Sequence, residues 1–459
     1  MEVQYSIGVF RLPSKYIFIS LDASSFLGIR CCATECDFVT VTKSDCDCLT
    51  FILGYDIMIM KYRTREKGGR TMDYKYTLMH HDIEVAVITF DEEYLNISGI
   101  NEVMNFEHLP LGTVRKGIVG KKDLNDWLTS RSIPASRVGL SDTLEKLNVA
   151  SSKEIIFKSL GLSLSDHYWL KPYGTTLHWK DVNFFENDFS EDIGNILFGG
   201  IAPETIDFLS PDNTSDGWLR KRWKITNEKR VLIKGGSDPY HQEPFNEVIA
   251  AKIFSLLDIP HVDYSLVWQD ELPYSVCEDF ITNTSELIPA YRLTLFEKQS
   301  NNDSNYQHFL KCCNNVGIDA VPFLDRLLTV DYILANEDRH YNNFGLVRNP
   351  ITLEFIGFAP IYDSGTSLAY NRQIDSRGRN YKSKPFKEKP EEQLQLVSSF
   401  DWFDAAKLNG ISEFIKETLS PAVYLGLFPA ERVGQIASFV ESRIEHIERL
   451  SLNRAQKIE

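Results

Sequence analysis

The pattern of hydrophobic and polar positions becomes regular only after residue 72. Two segments then alternate with the period of two that is typical of β-strands, and two repeat their apolar positions at helical spacing. In chain order, these strands and helices are 74–79, 85–90, 122–131 and 142–147. Asp142 is a residue type that caps helix N-termini, so we expect it to cap the last of these helices. The pattern predicts an accessory α/β region over residues 72–205.

A different order of elements follows from residue 206. Two alternating strands around a short turn come first, then a helix, and then two further strands. These elements are expected at 218–225, 229–234, 244–257, 264–268 and 274–280. From residue 286 the apolar spacing is mainly helical, interrupted by one predicted hairpin over 344–358. The chain is therefore predicted to be α+β, with a β-rich segment 206–285 before a mainly helical segment 286–459.

Residues 1–71 differ from the rest of the chain. They hold five of the eight cysteines, at Cys31, Cys32, Cys36, Cys46 and Cys48. Zinc sites usually combine two separated Cys-x₂₋₄-Cys or Cys/His pairs, and these spacings fit that pattern poorly. A Lys-Gly-Gly-Arg break at 67–70 comes just before Met72. Residues 1–71 are therefore predicted to be an N-terminal extension, with Met72 as an alternative start of the protein.

Composition and charge narrow the classes of function. With 43% hydrophobic residues, the 459-residue chain can bury substantial cores. Its net charge of 49 − 64 = −15 argues against a broad surface for nucleic acid. The best candidate for a membrane span, 50–60, is shorter than the roughly 18 residues required and contains Asp56. The N-terminus lacks a signal-peptide pattern, so the sequence predicts a cytoplasmic protein that contacts neither membrane nor nucleic acid directly.

The residues most indicative of chemistry lie in and after the run 331–345. Asp338 follows an apolar helical segment, Asn343 stands five residues later, and Asp363 comes another twenty residues later, next to Ser-Gly. Phosphoryl transfer uses one aspartate to orient the acceptor hydroxyl, and an asparagine and a second aspartate to hold Mg²⁺ on ATP. Amide and carboxylate oxygens are ligands that this hard cation prefers. We predict Asp338 as a catalytic residue, Asn343 and Asp363 as Mg²⁺ ligands, and ATP as the phosphate donor.

Arg339 and His340 follow Asp338 directly and are also candidate catalytic residues. One interpretation makes them hydrogen-bond donors that fix the loop. The alternative gives one of them a share in stabilising the charge of the phosphate.

Lys234 lies at the end of the predicted strand 229–234. A lysine on such a strand binds ATP phosphates when an acidic partner positions it. Glu247, inside the predicted helix, is the expected partner. Glu243 is the alternative, since it lies nearer the helix start, where a carboxylate compensates the helix dipole.

Two further segments are expected to contact the nucleotide. The turn 214–217 contains Ser215 and Gly217, and its backbone N–H groups can surround a phosphate while the glycine permits close approach. An ordinary hairpin turn is the alternative interpretation. Glu278 and Phe280 lie where a hinge between two lobes belongs, and backbone groups there would bind the adenine edge. A simple linker is the alternative for this segment.

The run 336–343 reads Asn-Glu-Asp-Arg-His-Tyr-Asn-Asn, and 360–363 reads Pro-Ile-Tyr-Asp. These residues resemble the HipA-like serine/threonine kinases of bacteria, which have an Asn-x-Asp-Arg-His-x-x-Asn loop and a later Pro-x-Tyr-Asp. The resemblance covers 206–459 and implies a two-lobed protein-kinase-like fold with a β-rich small lobe and a mainly helical large lobe. It implies that Asp338 is catalytic, that Asn343 and Asp363 bind the metal ion, and that Lys234 binds the ATP phosphates.

The resemblance also bears on partners. Residues 72–200 resemble the leader of a Gram-positive-like branch of this family, rather than the antitoxin-contacting front domain of the better-known toxins. A protein substrate is expected, and an antitoxin-like partner stays open. Some family members autophosphorylate a serine in the phosphate loop, for which Thr214 and Ser215 are the candidate counterparts.

Two other functions stay open beside a protein kinase. Small-molecule phosphotransferases of the antibiotic-modifying kind usually carry a histidine two residues before the catalytic aspartate, where this chain has Asn336. A catalytically silent nucleotide-binding protein of the same fold is the other alternative, and the presence of Lys234, Asp338, Asn343 and Asp363 argues against it.

Overall fold

A computed structural model describes residues 9–12, 15–21, 27–32, 74–91, 93–375 and 380–458. The chain divides into two compact units, Met1–Arg70 and Thr71–Glu459. The described strands of the first unit form one antiparallel sheet in the order β1-β2-β3. They are Val9–Leu12 (β1), Lys15–Leu21 (β2) and Leu27–Cys32 (β3). The expectations about a metal site and an alternative start fall on residues outside those described, namely Cys36, Cys46, Cys48 and Met72.

The second unit begins with a four-stranded antiparallel sheet, here called the front sheet, in the order β6-β5-β4-β9. Its strands are Tyr74–His80 (β4), Ile83–Phe90 (β5), Ile97–Val103 (β6) and Tyr168–Pro172 (β9). A short hairpin of Val114–Arg115 (β7) and Ile118–Val119 (β8) follows β6. Both strands predicted from the alternating pattern, β4 and β5, are present.

The helices of the accessory region are short. They are Lys121–Thr129 (α1), Leu140–Lys146 (α2), Ser152–Lys158 (α3), Trp179–Val182 (α4) and Asp192–Leu197 (α5). The prediction that Asp142 caps α2 is wrong, because the helix begins at Leu140 after Gly139. Gly139 has a φ of 79°, which glycine adopts readily, so the chain turns into the helix earlier than the capping residue indicated.

A second antiparallel sheet, the middle sheet, has the order β10-β11-β13-β12. Its strands are Lys221–Thr226 (β10), Lys229–Gly235 (β11), Ser265–Gln269 (β12) and Leu272–Glu278 (β13), and helix Glu243–Leu256 (α6) lies between β11 and β12 in sequence. This is the predicted order of strand, strand, helix, strand and strand. The first strand begins at Lys221 rather than at residue 218.

The rest of the chain is mainly helical around a three-stranded antiparallel sheet, the rear sheet, in the order β14-β15-β16. Its strands are Glu286–Pro289 (β14), Gly345–Arg348 (β15) and Phe355–Phe358 (β16). The helices are Ala290–Thr294 (α7), Asn305–Asn315 (α8), Val321–Leu334 (α9), Pro390–Leu394 (α10), Ile411–Tyr424 (α11) and Ala430–Ile458 (α12). The hairpin β15–β16 was predicted, whereas β14 was not. Its pairing with β15 joins Glu286 to Arg348, which lie 62 positions apart in the sequence. Across the described residues, no helix combines the length and the apolar character that crossing a membrane requires.

The largest apolar core joins α6, α9, α11 and α12 to the rear sheet. Buried side chains from each contribute, including Ile249, Leu327, Leu346, Ile415 and Ile436. A second core lies between the front sheet and α1. The chain therefore folds as a mixture of antiparallel sheets and helices, with a separate apolar core under the front sheet.

A buried carboxylate joins the front sheet to the rear sheet. Nε2 of His80, on β4, lies 2.9 Å from Oε2 of Glu286, on β14. Arg348, on β15, donates from Nε to Oε1 of the same carboxylate at 2.8 Å. Burial alone would raise the pKa of Glu286, but His80 and Arg348 outweigh it and lower the pKa to about 2. The two sheets are thus connected through an ionised carboxylate that both of them bind.

Candidate active site

One cavity of about 400 Å³ borders the middle sheet, the rear sheet and the loops that follow α9 and β16. Most of the residues predicted to form the site line it: Ser215, Gly217, Lys234, Glu278, Phe280, Asp338, His340, Asn343 and Asp363. The two predicted residues that do not line the cavity, Glu247 and Arg339, are buried beside it.

Lys234 reaches the cavity from β11, where the hairpin with β10 pairs it with Lys221. Its Nζ lies 3.0 Å from Oε1 of Glu247, on α6, and 2.8 Å from Oδ1 of Asp363. The other oxygen of Glu247 accepts the backbone N–H of Ser364 at 2.8 Å. Glu247 therefore connects the lysine on the strand to the loop that carries Asp363.

Glu243, the alternative partner for Lys234, has a different position. Its carboxylate accepts the backbone N–H of Ser237 at 3.1 Å and also the Ser237 hydroxyl. It therefore fixes the turn between β11 and α6. Of the two glutamates considered from the sequence, the geometry pairs Glu247 with the lysine.

These pairs decide the charges in the cavity. Burial disfavours the charged form of Lys234, but Asp363 and Glu247 outweigh burial and raise its pKa well above the usual value. Burial would also raise the pKa of Asp363, yet Lys234 and Lys221 outweigh it and hold that pKa well below its usual range. At neutral pH the lysine is protonated and Asp363 is ionised, which are the states that phosphate binding and metal binding need.

The loop that carries Asp338 is shaped by Asn336. Helix α9 ends at Leu334, and the next residue, Ala335, has a φ of 47° that turns the chain out of the helix. Oδ1 of Asn336 then accepts the backbone N–H of Asp338 at 3.0 Å, and its Nδ2 donates to Oδ1 of Asp331 at 2.9 Å. These two bonds tie the backbone of Asp338 to α9 and leave its side chain at the cavity wall.

Two basic side chains approach the carboxylate of Asp338. Nζ of Lys384 lies 2.8 Å from Oδ1, and Nε2 of His340 lies 3.8 Å from Oδ2. The Asp338 side chain is 27% exposed. A hydroxyl group entering the cavity can therefore reach Oδ2.

Arg339 is completely buried. Its Nε and Nη2 donate to the two carboxylate oxygens of Asp331 at 2.9 and 3.1 Å. Further bonds reach the carbonyl oxygens of Asn343 (2.8 Å) and Tyr362 (2.6 Å) and the hydroxyl of Ser364 (2.8 Å). With its donors engaged by these partners, Arg339 has the contacts expected of the loop-fixing interpretation, and a catalytic role for it stays a prediction.

Asn343 and Asp363 face the cavity from the two sides of the β15–β16 hairpin. Nδ2 of Asn343 donates to the carbonyl of Asp338 at 2.9 Å, which leaves its side-chain oxygen as an acceptor. Asp363 has a φ of 59°, uncommon for a residue with a side chain and often found at functional sites. An amide oxygen and a carboxylate suit Mg²⁺, which proteins usually hold with few side chains together with phosphates and water. These residues therefore fit the expected ion.

An arginine from the accessory region holds the turn 214–217. Arg137 donates from Nε to the carbonyl of Gly217 at 2.6 Å, and from Nη2 to the carbonyls of Ser215 (2.6 Å) and Asp216 (3.1 Å). Gly217 has a φ of 92°, a conformation that glycine permits. The carbonyls of this turn are thus fixed on the side of Arg137.

The two hydroxyl groups of this turn are both engaged. That of Ser215 donates to the carbonyl of Asp212 at 3.0 Å, and that of Thr214 donates to the carbonyl of Leu162 at 2.8 Å. These hydrogen bonds do not distinguish which of the two residues is the counterpart of the phosphorylated serine.

Glu278 and Phe280 border the cavity where β13 ends. The side chain of Glu278 pairs with Lys229 at 2.6 Å, and its backbone continues the sheet opposite Val231. The ring of Phe280 packs against that of Tyr362, with centroids 5.5 Å apart. The adenine contact expected of this segment belongs to its backbone groups and stays a prediction.

Lys221, which lines the cavity, was missed by the sequence analysis. Burial, with the positive charges of Arg137 and Lys234, lowers its pKa to about 7. A signal for it existed, because the two-residue turn after Thr226 fixes the register that pairs Lys221 with Lys234. Arg137 was also missed, and it carries no local signal, since its partners lie about 80 positions away.

No protein-family model and no curated protein sequence matches the chain. Among solved structures, it is similar to the proinflammatory kinase CtkA of Helicobacter pylori, with 20% identity and a TM-score of 0.41 over 52% of this chain and 92% of that one. It is also similar to a chain of the Shewanella oneidensis MR-1 toxin–antitoxin complex of HipA, HipB and operator DNA. That likeness has 13% identity and a TM-score of 0.49 over 82% of this chain and 99% of the other. Likenesses at this level do not establish a function, which has to be derived from the side chains of the chain itself.

Proposed function

We propose that the chain is an ATP- and Mg²⁺-dependent HipA-like kinase that phosphorylates serine or threonine hydroxyls of a protein substrate. One observation carries this proposal: a single cavity brings Lys234, with Glu247 behind it, together with Asp338, Asn343 and Asp363. Lys234 and Asp363 are 129 positions apart in the sequence and 2.8 Å apart in space. These are the side chains that phosphoryl transfer requires.

The proposed roles follow from the contacts. Lys234 binds the ATP phosphates, and Glu247 keeps its ammonium at the cavity wall. Asn343 and Asp363 would hold Mg²⁺, which neutralises phosphate charge when it is bound. The corresponding fold is two-lobed and protein-kinase-like, with the middle sheet and α6 as the small lobe and the helical segment as the large lobe.

Asp338 is the proposed general base. Its backbone is fixed by Asn336, and its Oδ2 is open to an acceptor hydroxyl. A base in this position takes the hydroxyl proton as the oxygen attacks the γ-phosphorus. Asn336 occupies the place where antibiotic phosphotransferases usually have histidine, and this favours a protein acceptor over a small molecule. An antitoxin-like partner and a cytoplasmic location stay predictions of the sequence.

The test uses the full chain with γ-labelled ATP, MgCl₂ and a bacterial lysate as the source of acceptors. Asp338→Asn removes the proposed base and Asp363→Ala removes a proposed metal ligand. Asp401→Asn, at an exposed aspartate outside the cavity, is the control. We expect label in protein to fall at least about 100-fold in the first two variants and to remain in the control.

Two results would contradict the proposal. Label that enters only small molecules would identify a small-molecule phosphotransferase. ATP binding without transfer to any acceptor would identify a catalytically silent nucleotide-binding protein.

A further inference from the structure

Lys384 lies in the loop before α10 and contacts the proposed base, Asp338, at 2.8 Å. Its backbone is fixed by the buried side chain of Gln393, whose Nε2 donates to the Lys384 carbonyl at 2.6 Å. Nearby, the backbone N–H of Lys382 donates to Oε1 of Glu337 at 2.7 Å. The loop is therefore bound on both sides of Lys384, and one of its anchors is the residue that precedes Asp338.

Stability does not account for this contact. The Lys384 side chain is 50% exposed, and ion pairs open to water contribute little to folding. The pair instead places a cation at the carboxylate that is proposed to act as the base. Its consequence is therefore expected in the chemistry of the cavity rather than in the stability of the fold.

A carboxylate base beside a phosphoryl group creates a repulsion that a cation removes. Two like charges about 4 Å apart repel each other much more strongly in a partly desolvated site than in bulk water. The ammonium of a lysine has three N–H donors, and Asp338 takes one from Lys384. No other acceptor for this ammonium is found among the described residues, so its remaining donors can bind oxygens of a phosphoryl group placed next to Asp338.

We propose that Lys384 is a further catalytic residue, whose ammonium bridges Asp338 and an oxygen of the phosphoryl group in transfer. This inference rests on the proposed kinase function. During the step, the acceptor oxygen forms a bond to the γ-phosphorus while the bond from that phosphorus to the bridging oxygen of ADP breaks. The hydroxyl proton passes to Oδ2 of Asp338. Lys384 stays protonated, and its ammonium remains hydrogen-bonded to Oδ1.

The first measurement is the rate of phosphate transfer at saturating ATP. Lys384→Met removes the ammonium, Lys384→Arg keeps a positive charge, and Lys382→Met removes a charge from an exposed lysine of the same loop. Loss of one donor to the transition state lowers turnover about 100- to 1,000-fold, so we expect a fall of that size for Lys384→Met. We expect partial recovery in Lys384→Arg and wild-type turnover in Lys382→Met, with unchanged affinity for ADP in all three.

The second measurement needs no acceptor. ADP with MgCl₂ and aluminium fluoride imitates the phosphoryl group in transfer, and a residue that acts in the transition state contributes more to binding this complex than to binding ADP alone. Titration calorimetry of wild type and Lys384→Met with ADP, in the presence and absence of aluminium fluoride, gives that difference. We expect Lys384→Met to lose most of the extra affinity that the fluoride confers.

The outcomes separate this inference from the function on which it rests. Wild-type turnover in Lys384→Met, with loss in Asp338→Asn, overturns the role of Lys384 and leaves the kinase proposal intact. Faster turnover in Lys384→Met means that the contact inhibits the base and also overturns the role. Equal affinity of both proteins for the fluoride complex does the same. A wild-type protein that transfers no phosphate overturns both proposals.

Discussion

Replacement of Arg339 separates a residue that positions the site from one that touches the phosphate. Arg339→Met removes five hydrogen bonds and leaves the buried carboxylate of Asp331 without its cation. Among the side chains of the described residues, only Asn336 would still donate a hydrogen bond to that carboxylate. Removing one partner of a buried ion pair costs about 3–5 kcal/mol, so we expect the free energy of unfolding to fall by that amount.

Urea unfolding at pH 7, followed by tryptophan fluorescence, measures this loss. Asp331→Asn/Arg339→Met removes both charges, so we expect it to lose less than the sum of the two single variants. Contacting residues in one network couple by about 0.5–3 kcal/mol, which is the expected size of this difference. Strict additivity would mean that the pair contributes nothing as a pair.

Arg339→Lys is the informative variant for activity. It keeps a positive charge but cannot form the two-pronged contact with Asp331 while also reaching the carbonyls of Asn343 and Tyr362. Those carbonyls belong to, or lie next to, the proposed metal ligands, so we expect reduced transfer together with reduced stability. Loss of transfer with wild-type stability would refute this reasoning, because a residue that binds the phosphate directly would behave in that way.

Three other variants test separate contacts. Lys234→Met should weaken ATP binding by about 1.5–3 kcal/mol, or roughly 10- to 100-fold in Kd by calorimetry, with a much smaller effect for Glu243→Gln. Arg137→Met should reduce the rise in melting temperature that ATP produces, because the turn that it holds is released; an unchanged rise would argue against a role for the turn. The pKa of Glu286 falls from 4.5 to about 2 on folding, so its ionisation stabilises the fold above pH 4.5, and this stability is lost as the pH drops toward 2. Acid unfolding of wild type should show a loss on the order of 3 kcal/mol from this group that is absent in Glu286→Gln.

Periodicity predicted the elements that repeat for long enough. The middle sheet, α6 and the β15–β16 hairpin follow directly from alternating or helical spacing. The choice between Glu243 and Glu247 could not be read from spacing, because residues four apart share a helix face. The contacts decide it: the backbone N–H and the hydroxyl of Ser237 donate to Glu243, whereas Lys234 donates to Glu247.

The motif around Asp338 predicted a set of candidate residues, but not which side of the backbone each one faces. Arg339 and His340 are adjacent, yet one is completely buried and the other lines the cavity. Contacts such as that of Lys384 with Asp338 join segments 46 positions apart, and no local pattern encodes them. The domain boundaries and the ligand roles inferred from sequence stay predictions.

The bonds from Arg137 to the turn 215–217 have a thermodynamic consequence. Binding at two coupled sites is reciprocal. If a ligand at one site changes the affinity for a ligand at the other, the second ligand changes the affinity for the first by the same factor. If ATP binds the turn in its held form, ATP also stabilises the accessory region that supplies Arg137. A protein that binds this region and displaces Arg137 would then lower the affinity for ATP. Conversely, ATP would lower the affinity for that protein by the same factor. If the proposed function holds, the accessory region would in this sense control nucleotide affinity.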